Sequence, residues 1–188
     1  MPRRLTFRLA IAALLSLALV ACSTVGDLLS NRVTVSPEQL QSQLDRRFPR
    51  DYRKLGGMVS VRVMHPRLRL QPERHRLQLD FDAGVAAFGS DPSTPRGHFT
   101  ISSGLRFDPA AMALMLDAPM VERADIPAFA GMGQGAIESL LNQWLQDEAR
   151  NDPVYRFSAS DQDKLRGRSI ANIDVTASGL QVKLGSGK

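Results

Sequence analysis

From Val59 to Leu116 the chain alternates between apolar and polar residues. Val59, Val61 and Val63 are separated by Ser60 and Arg62, and after Pro66 Leu68 and Leu70 alternate with Arg67 and Arg69. Leu77, Leu79, Phe81, Ala83 and Val85 alternate with Gln78, Asp80 and Asp82. Phe99, Ile101, Leu105 and Phe107 then oppose His98, Thr100, Ser102 and Arg106, and Met112, Leu114 and Leu116 come next. A period of two places each set on one face of a strand. Turn residues divide the run at Gln71-Pro72-Glu73-Arg74, at Gly89 to Pro95 and at Asp108-Pro109. The pattern predicts an antiparallel meander with one wet face. Gly84, where the polar face runs out, predicts a bulge or bend.

Two segments change the period to that of a helix. After a short strand at Arg32-Val33-Thr34-Val35, Ser36-Pro37-Glu38-Gln39 reads as an N-cap, a proline at the first helical position and a capping-box glutamine. Leu40, Leu44 and Phe48 form one stripe on this helix, which ends at Pro49. The second helix spans residues 133–149, with Ile137, Leu140, Leu141, Trp144 and Leu145 on one face and Glu138, Asn142, Gln146 and Asp147 on the other. Asn151-Asp152-Pro153 stops it. Val154 to Phe157 reads as a short strand. Ile173 and Val175, a turn near Ser178-Gly179, and Leu180, Val182 and Leu184 read as a closing hairpin. Together these predict an α+β domain with a sheet packed on helices.

The first 21 residues have a different character. Arg3, Arg4 and Arg8 precede an apolar run from Leu9 to Ala21 interrupted only by Ser16. Thirteen helical residues span about 20 Å, short of a hydrocarbon core of about 30 Å, so the segment reads as a cleavable signal. Its end, Leu19-Val20-Ala21 before Cys22, resembles the lipobox of bacterial lipoproteins. That resemblance implies acylation of Cys22 and cleavage in front of it. Ser23 in the next position is similar to lipoproteins sorted to the Gram-negative outer membrane. The expected organisation is a signal peptide over 1–21, an acylated Cys22 with a tether over 22–32, and one periplasmic domain over 33–188. Several acyl chains anchor a protein stably without a membrane-spanning helix.

Composition narrows the picture further. The full chain carries a net charge of +5, but removing residues 1–21 takes three arginines with it and leaves +2. The charge therefore gives no case for nucleic acid as a partner. Cys22 is the single cysteine, so its acylation leaves no thiol for a disulfide or a thiolate metal site.

The features run together in a pattern that is similar to the YceB-like family of bacterial lipoproteins, whose function is uncharacterised. They are the lipobox at Cys22, Val33-Thr34-Val35-Ser36 entering a helix, Leu77-x-Leu79-x-Phe81-Asp82 and Ser103-Gly104-Leu105-Arg106-Phe107 in the meander, the helix around Leu140-Leu141, and the final hairpin. The resemblance implies a small relative of the tubular lipid-binding (TULIP, BPI-like) fold, a curved antiparallel sheet wrapped around a long amphipathic helix. Relatives with that fold hold lipids between helix and sheet. No catalytic residues come with the resemblance.

The expected function is therefore binding of a lipid or other apolar ligand in a groove between helix and sheet. Its lining would be Phe81, Phe99, Ile101 and Leu105 from the sheet, and Ile137, Leu141, Trp144 and Leu145 from the helix. The alternative is a structural or assembly accessory of the outer membrane, its groove filled by its own side chains and its work done through protein contacts. The methionines fit either an adaptable pocket or ordinary core. The basic run holding Arg46, Arg47, Arg50, Arg53 and Lys54 could face anionic headgroups, or could be a solvated helix end.

No enzyme is expected, nor a cofactor or a metal. Gly131-Met132-Gly133-Gln134-Gly135-Ala136 fits a dinucleotide fingerprint in spelling but lacks the strand and parallel unit it needs. His65, His75 and His98 show no metal-ligand spacing. Asp161-x-Asp163 lacks the rest of a calcium loop and reads as a solvated loop. Ser102-Ser103 lacks a nucleophile elbow.

Overall fold

The computed structural model describes residues 31–54, 59–87 and 91–185. Cys22 and the signal segment lie outside them. The described chain is mixed α+β and mostly strand, arranged as two antiparallel sheets with short helices.

The chain enters through β1 (Arg32–Val35) and turns at once into α1 (Pro37–Asp45). Ser36 caps this helix as its sequence requires: its Oγ accepts from the Gln39 N–H at 3.3 Å, and its own N–H donates to Gln39 Oε1 at 2.8 Å. Both bonds satisfy donors that a helix start leaves unpaired. Leu40 and Leu44 are the buried residues of the stripe.

The larger sheet has six strands in the order β2 (Arg50–Lys54), β3 (Val59–Gln71), β4 (Arg76–Ala87), β5 (Gly97–Asp108), β6 (Ala113–Asp125) and β7 (Pro153–Arg156). Every pairing is antiparallel. The sheet curls into a half-barrel. The second half of the basic run is thus an edge strand rather than a helix end, with Tyr52 opposite Val61. β3 passes through Pro66 without breaking. The register slips between Met64 and Arg67, and His65 takes a left-handed φ of 49° in the slip. Proline is tolerated there because a bulge leaves its missing N–H without a ladder partner.

Gly84 is neither bulge nor bend. It sits in regular register opposite Arg62. A Cβ built on it would lie 1.8 Å from the Pro92 carbonyl oxygen. The glycine admits the 91–95 loop, which folds back onto the strand, and that close approach is the other reason for glycine inside a strand.

The smaller sheet joins the two ends of the described chain, in the order β1, β9 (Gly179–Leu184), β8 (Ile170–Thr176). α2 (Gln134–Asn151) lies in the chain between β6 and β7, and α3 (Ala159–Leu165) between β7 and β8. The stretch holding Asp161 and Asp163 is the start of α3 and not a loop. The Asp161 N–H donates to the Ser158 cap at 3.3 Å, and the Ser158 hydroxyl donates to the Asp161 carboxylate at 2.7 Å.

Two apolar clusters result. One joins α2 to the inner face of the six-stranded sheet through Leu77, Leu79, Phe81, Phe99, Ile101, Ile137 and Leu145. The other joins the small sheet to α1, β7 and α3 through Val35, Leu40, Tyr155, Leu165 and Leu180. Leu68, Leu70 and Leu105 touch both clusters. No helix among the described residues is long and apolar enough to cross a membrane.

Candidate apolar ligand site

The alternation in β4 and β5 and the stripe on α2 meet in one place. All eight residues expected to line a groove fall in the same cluster. Phe81, Phe99, Ile101, Ile137 and Leu145 are at most 5% exposed, whereas Leu105, Leu141 and Trp144 are half-buried at its margin. The rings touch in series. Phe81 stacks on Phe99 with centroids 5.2 Å apart, Phe99 meets the Trp144 edge at 6.1 Å, and Trp144 meets Tyr52 at 5.1 Å. The centre of the inner face is therefore filled by the protein's own side chains.

The margin is different. Tyr52, Val61 and Val85 stand in register across β2, β3 and β4, and all three are half-buried. Leu141 and Trp144 belong to the same cluster from α2. They form an apolar seam between the helix and the β2 edge. Trp144 Nε1 is buried there and finds no hydrogen-bond acceptor among the described residues. Buried indole N–H groups ordinarily have one.

The polar side chains of α2 are less idle than their spacing suggests. Asn142 Oδ1 accepts from the Val121 N–H at 2.9 Å, and Gln146 Nε2 donates to the Pro119 carbonyl at 3.0 Å. Both tie the helix to β6 where the β5–β6 register is irregular and ladder groups are freed.

One end of the seam is closed by charge. Arg50 Nη1 donates to Glu148 Oε1 at 2.6 Å and also reaches Asp152, which Arg47 meets at 3.0 Å. The Tyr52 hydroxyl donates to the same Glu148 oxygen at 3.1 Å. Glu148 and Asp152, one helical turn apart, titrate in opposite directions. Burial, then the hydrogen bond with Asp152, pushes the Glu148 carboxyl up. Burial works the same way on Asp152, but its hydrogen bonds with Glu148 and Arg50 and the charge of Arg47 hold it down. Burial, followed by the Glu148 charge, raises the Tyr52 hydroxyl. Nothing in the sequence marks this cluster, because its members come from residues about 100 positions apart.

The remaining candidates fall elsewhere. Arg46 is exposed and donates to Ser42 Oγ at 2.9 Å. The side chains of Arg53 and Lys54 lie outside the described ones. Ser102 and Ser103 are fully buried in the sheet. Arg76 donates to Ser102, and the Ser103 hydroxyl donates to the Asp117 carbonyl. His65 contacts Asp82 at 2.9 Å, His75 sits in the turn after β3, and His98 lies on β5. Gly131 lies in a 3-10 turn over Pro127–Met132, Gly133 joins that turn to α2, and Gly135 is in the first turn of α2, so a 3-10 turn and not a strand precedes the helix. Among the described residues, no group of three or more His, Cys, Asp or Glu side chains is placed to hold a metal ion. No known family model and no curated protein matches the chain.

Proposed function

We propose that this is an envelope lipoprotein, anchored through acylated Cys22 on the periplasmic side of the outer membrane, whose domain binds the acyl part of a lipid or a similar apolar ligand. The resemblance to the YceB-like family and its TULIP-like architecture, with the sheet wrapping the helix, belongs to the same reading. So do the absence of a catalytic role and the placing of Arg46, Arg47, Arg50, Arg53 and Lys54 towards headgroups. The ligand would enter along the seam of Tyr52, Val61, Val85, Leu141 and Trp144 and contact the outer members of the buried set. Burial of an acyl chain there is worth about 25 cal/mol per Å2. The observation that supports this most directly is the Trp144 N–H, buried in an apolar margin without an acceptor. A ligand carboxyl or ester oxygen would supply one.

The second reading, an assembly accessory acting through protein contacts, is favoured by a different observation: five of the eight inner residues are already buried by one another. Native mass spectrometry on a signal-less Cys22→Ala domain from the periplasm separates the two. Adducts with the mass of fatty acid or phospholipid, lost in Leu141→Arg, support a lipid binder. A clean apo mass from a folded domain supports the accessory. Trp144 is the chain's single tryptophan, so its emission gives a second readout. A saturable shift with added fatty acid is expected only if the seam is occupied.

A further inference from the structure

The face of the six-stranded sheet opposite the apolar cluster holds a depression of about 850 Å3 across β3 to β6. Its charged residues stand in register. One row runs through Asp82, His98 and Asp125, and the next through Arg67, Asp80, Thr100 and Arg123. Asp80 and Asp82 form the floor, whereas Asp125 is exposed at the rim and Glu122, also in the lining, meets Arg74 at 3.3 Å. Asp80 accepts from Thr100 Oγ1 at 2.7 Å, Asp82 contacts His65 at 2.9 Å, and both side chains are less than a quarter exposed. The guanidiniums form the rim. Arg67 and Arg69 reach Asp82 and Asp80 only at 3.5 and 3.4 Å, and both are about two-thirds exposed. Arg96, two residues before His98, donates its backbone N–H to the Ala83 carbonyl at 3.0 Å, and Arg123 stands in the ladder opposite Thr100; both are exposed, and their guanidiniums have no hydrogen-bond or ion-pair partner among the described residues.

This layering has a chemical consequence. Recessed carboxylates hold Arg67 and Arg69 loosely at the rim, while two guanidiniums stay free. Guanidinium forks match the oxygens of a phosphate with paired, charge-assisted hydrogen bonds. A depression of this size admits a whole headgroup and not only a single ion. We infer that the outer depression of the six-stranded sheet is a binding site for a phosphate-bearing ligand, gripped by Arg96 and Arg123 and flanked by Arg67 and Arg69. The site is on the other face from the apolar seam, so it stands or falls independently of acyl binding.

The test uses the full lipidated chain in a nonionic maltoside detergent, titrated calorimetrically with three soluble probes: dihexanoyl phosphatidic acid, dihexanoyl phosphatidylcholine and inorganic pyrophosphate. Phosphatidic acid is expected to bind at least about 10-fold more tightly than phosphatidylcholine and to weaken with salt, because charge-assisted hydrogen bonds to the phosphate are at stake. Arg96→Gln with Arg123→Gln should remove that preference, and Arg123→Lys, which keeps the charge but not the fork, should remove part of it. Arg106→Gln, exposed on β5 but outside the depression, should leave it intact. Pyrophosphate binding as well as phosphatidic acid would assign the site to free phosphates, and a clear preference for phosphatidic acid would assign it to lipid headgroups. Equal affinity for the two lipids, with no pyrophosphate binding, would overturn the inference. So would an equal loss in Arg106→Gln, which would mean diffuse charge rather than a site.

Discussion

The inner face of the six-stranded sheet has a closed centre and a half-open margin, a few residues apart on the same strands. At the centre, Leu77, Leu79, Phe99, Ile101 and Leu145 are no more than 2% exposed. At the margin, Tyr52, Val61 and Val85 are the same kind of residue in the same alternation, yet they stay half-buried. The difference is in what faces them. α2 is tied to β6 by Asn142 and Gln146, so it covers β4 to β6 and leaves the β2 edge to its aromatic side chains. Apolar patterning thus identifies which residues turn inward but not which of them the helix reaches. A site for an apolar ligand, if it lies on this face, belongs at the margin.

The largest effect should come from breaking the centre. Leu145→Ala deletes a side chain 1% exposed in the middle of the cluster and should cost about 2–5 kcal/mol, read as a fall in the urea midpoint at unchanged slope. Leu141→Ala, at the margin, should cost clearly less, because part of its surface already meets solvent. Equal losses would mean that centre and margin are one core.

A comparable but separate effect is expected on the other side of the sheet. Gly84→Ala drives a methyl into the Pro92 carbonyl, a backbone atom that cannot swing aside, and should cost about 1–3 kcal/mol. Gly104→Ala, whose Cβ would sit 3.3 Å from the nearest atom, serves as the milder control. If the two changes proved equally mild, the 91–95 loop would not be holding Gly84 in place.

These sites also mark how far the sequence could be read. The alternation in β3 to β5, the cap at Ser36, the α2 stripe and the closing hairpin were all legible, because each is set by spacing within a dozen residues. The co-location of Phe81, Phe99, Ile101, Ile137 and Leu145 was expected from those stripes together with the resemblance to a sheet wrapped on a helix. Three things were not legible. The pairing of β1 with β9 depends on residues about 150 positions apart. The role of Gly84 depends on a loop returning to it, which leaves no periodic trace. The rows of Asp and Arg on the outer face required the register, since alternation alone shows a wet face but not which charges stand side by side.

Smaller changes test the charge that closes one end of the margin. Arg50→Ala takes away the donor between Glu148 and Asp152 and should cost about 1–2 kcal/mol, discounted because Arg50 is partly exposed. It should also alter Trp144 emission, since Tyr52 bonds Glu148 and packs on the indole. A loss of stability with unchanged emission would separate the clamp from the seam.

The smallest effect is one of pH, and its sign distinguishes the two acids. Glu148 has its carboxyl raised by burial and then by Asp152, so the folded state takes up a proton more readily than the unfolded one. Its contribution is full below the ordinary glutamate range and declines as pH rises through the raised value. Asp152 is held down by Glu148 and the arginines, so its contribution is present above the ordinary aspartate range and fades as pH falls. The two slopes oppose in adjacent windows, that of Asp152 below the ordinary aspartate range and that of Glu148 above the ordinary glutamate range, so the pair contributes most between them. Glu148→Gln removes one slope and keeps an oxygen for Arg50 and Tyr52. Measured by urea unfolding, the variant's stability relative to wild type should therefore improve from pH 4 to pH 7, because it lacks the gain that wild type draws from Glu148 on acidification. A relative stability that worsens over that interval would show that Glu148 is held as a charged partner of Arg50, and that the proton belongs to Asp152 instead.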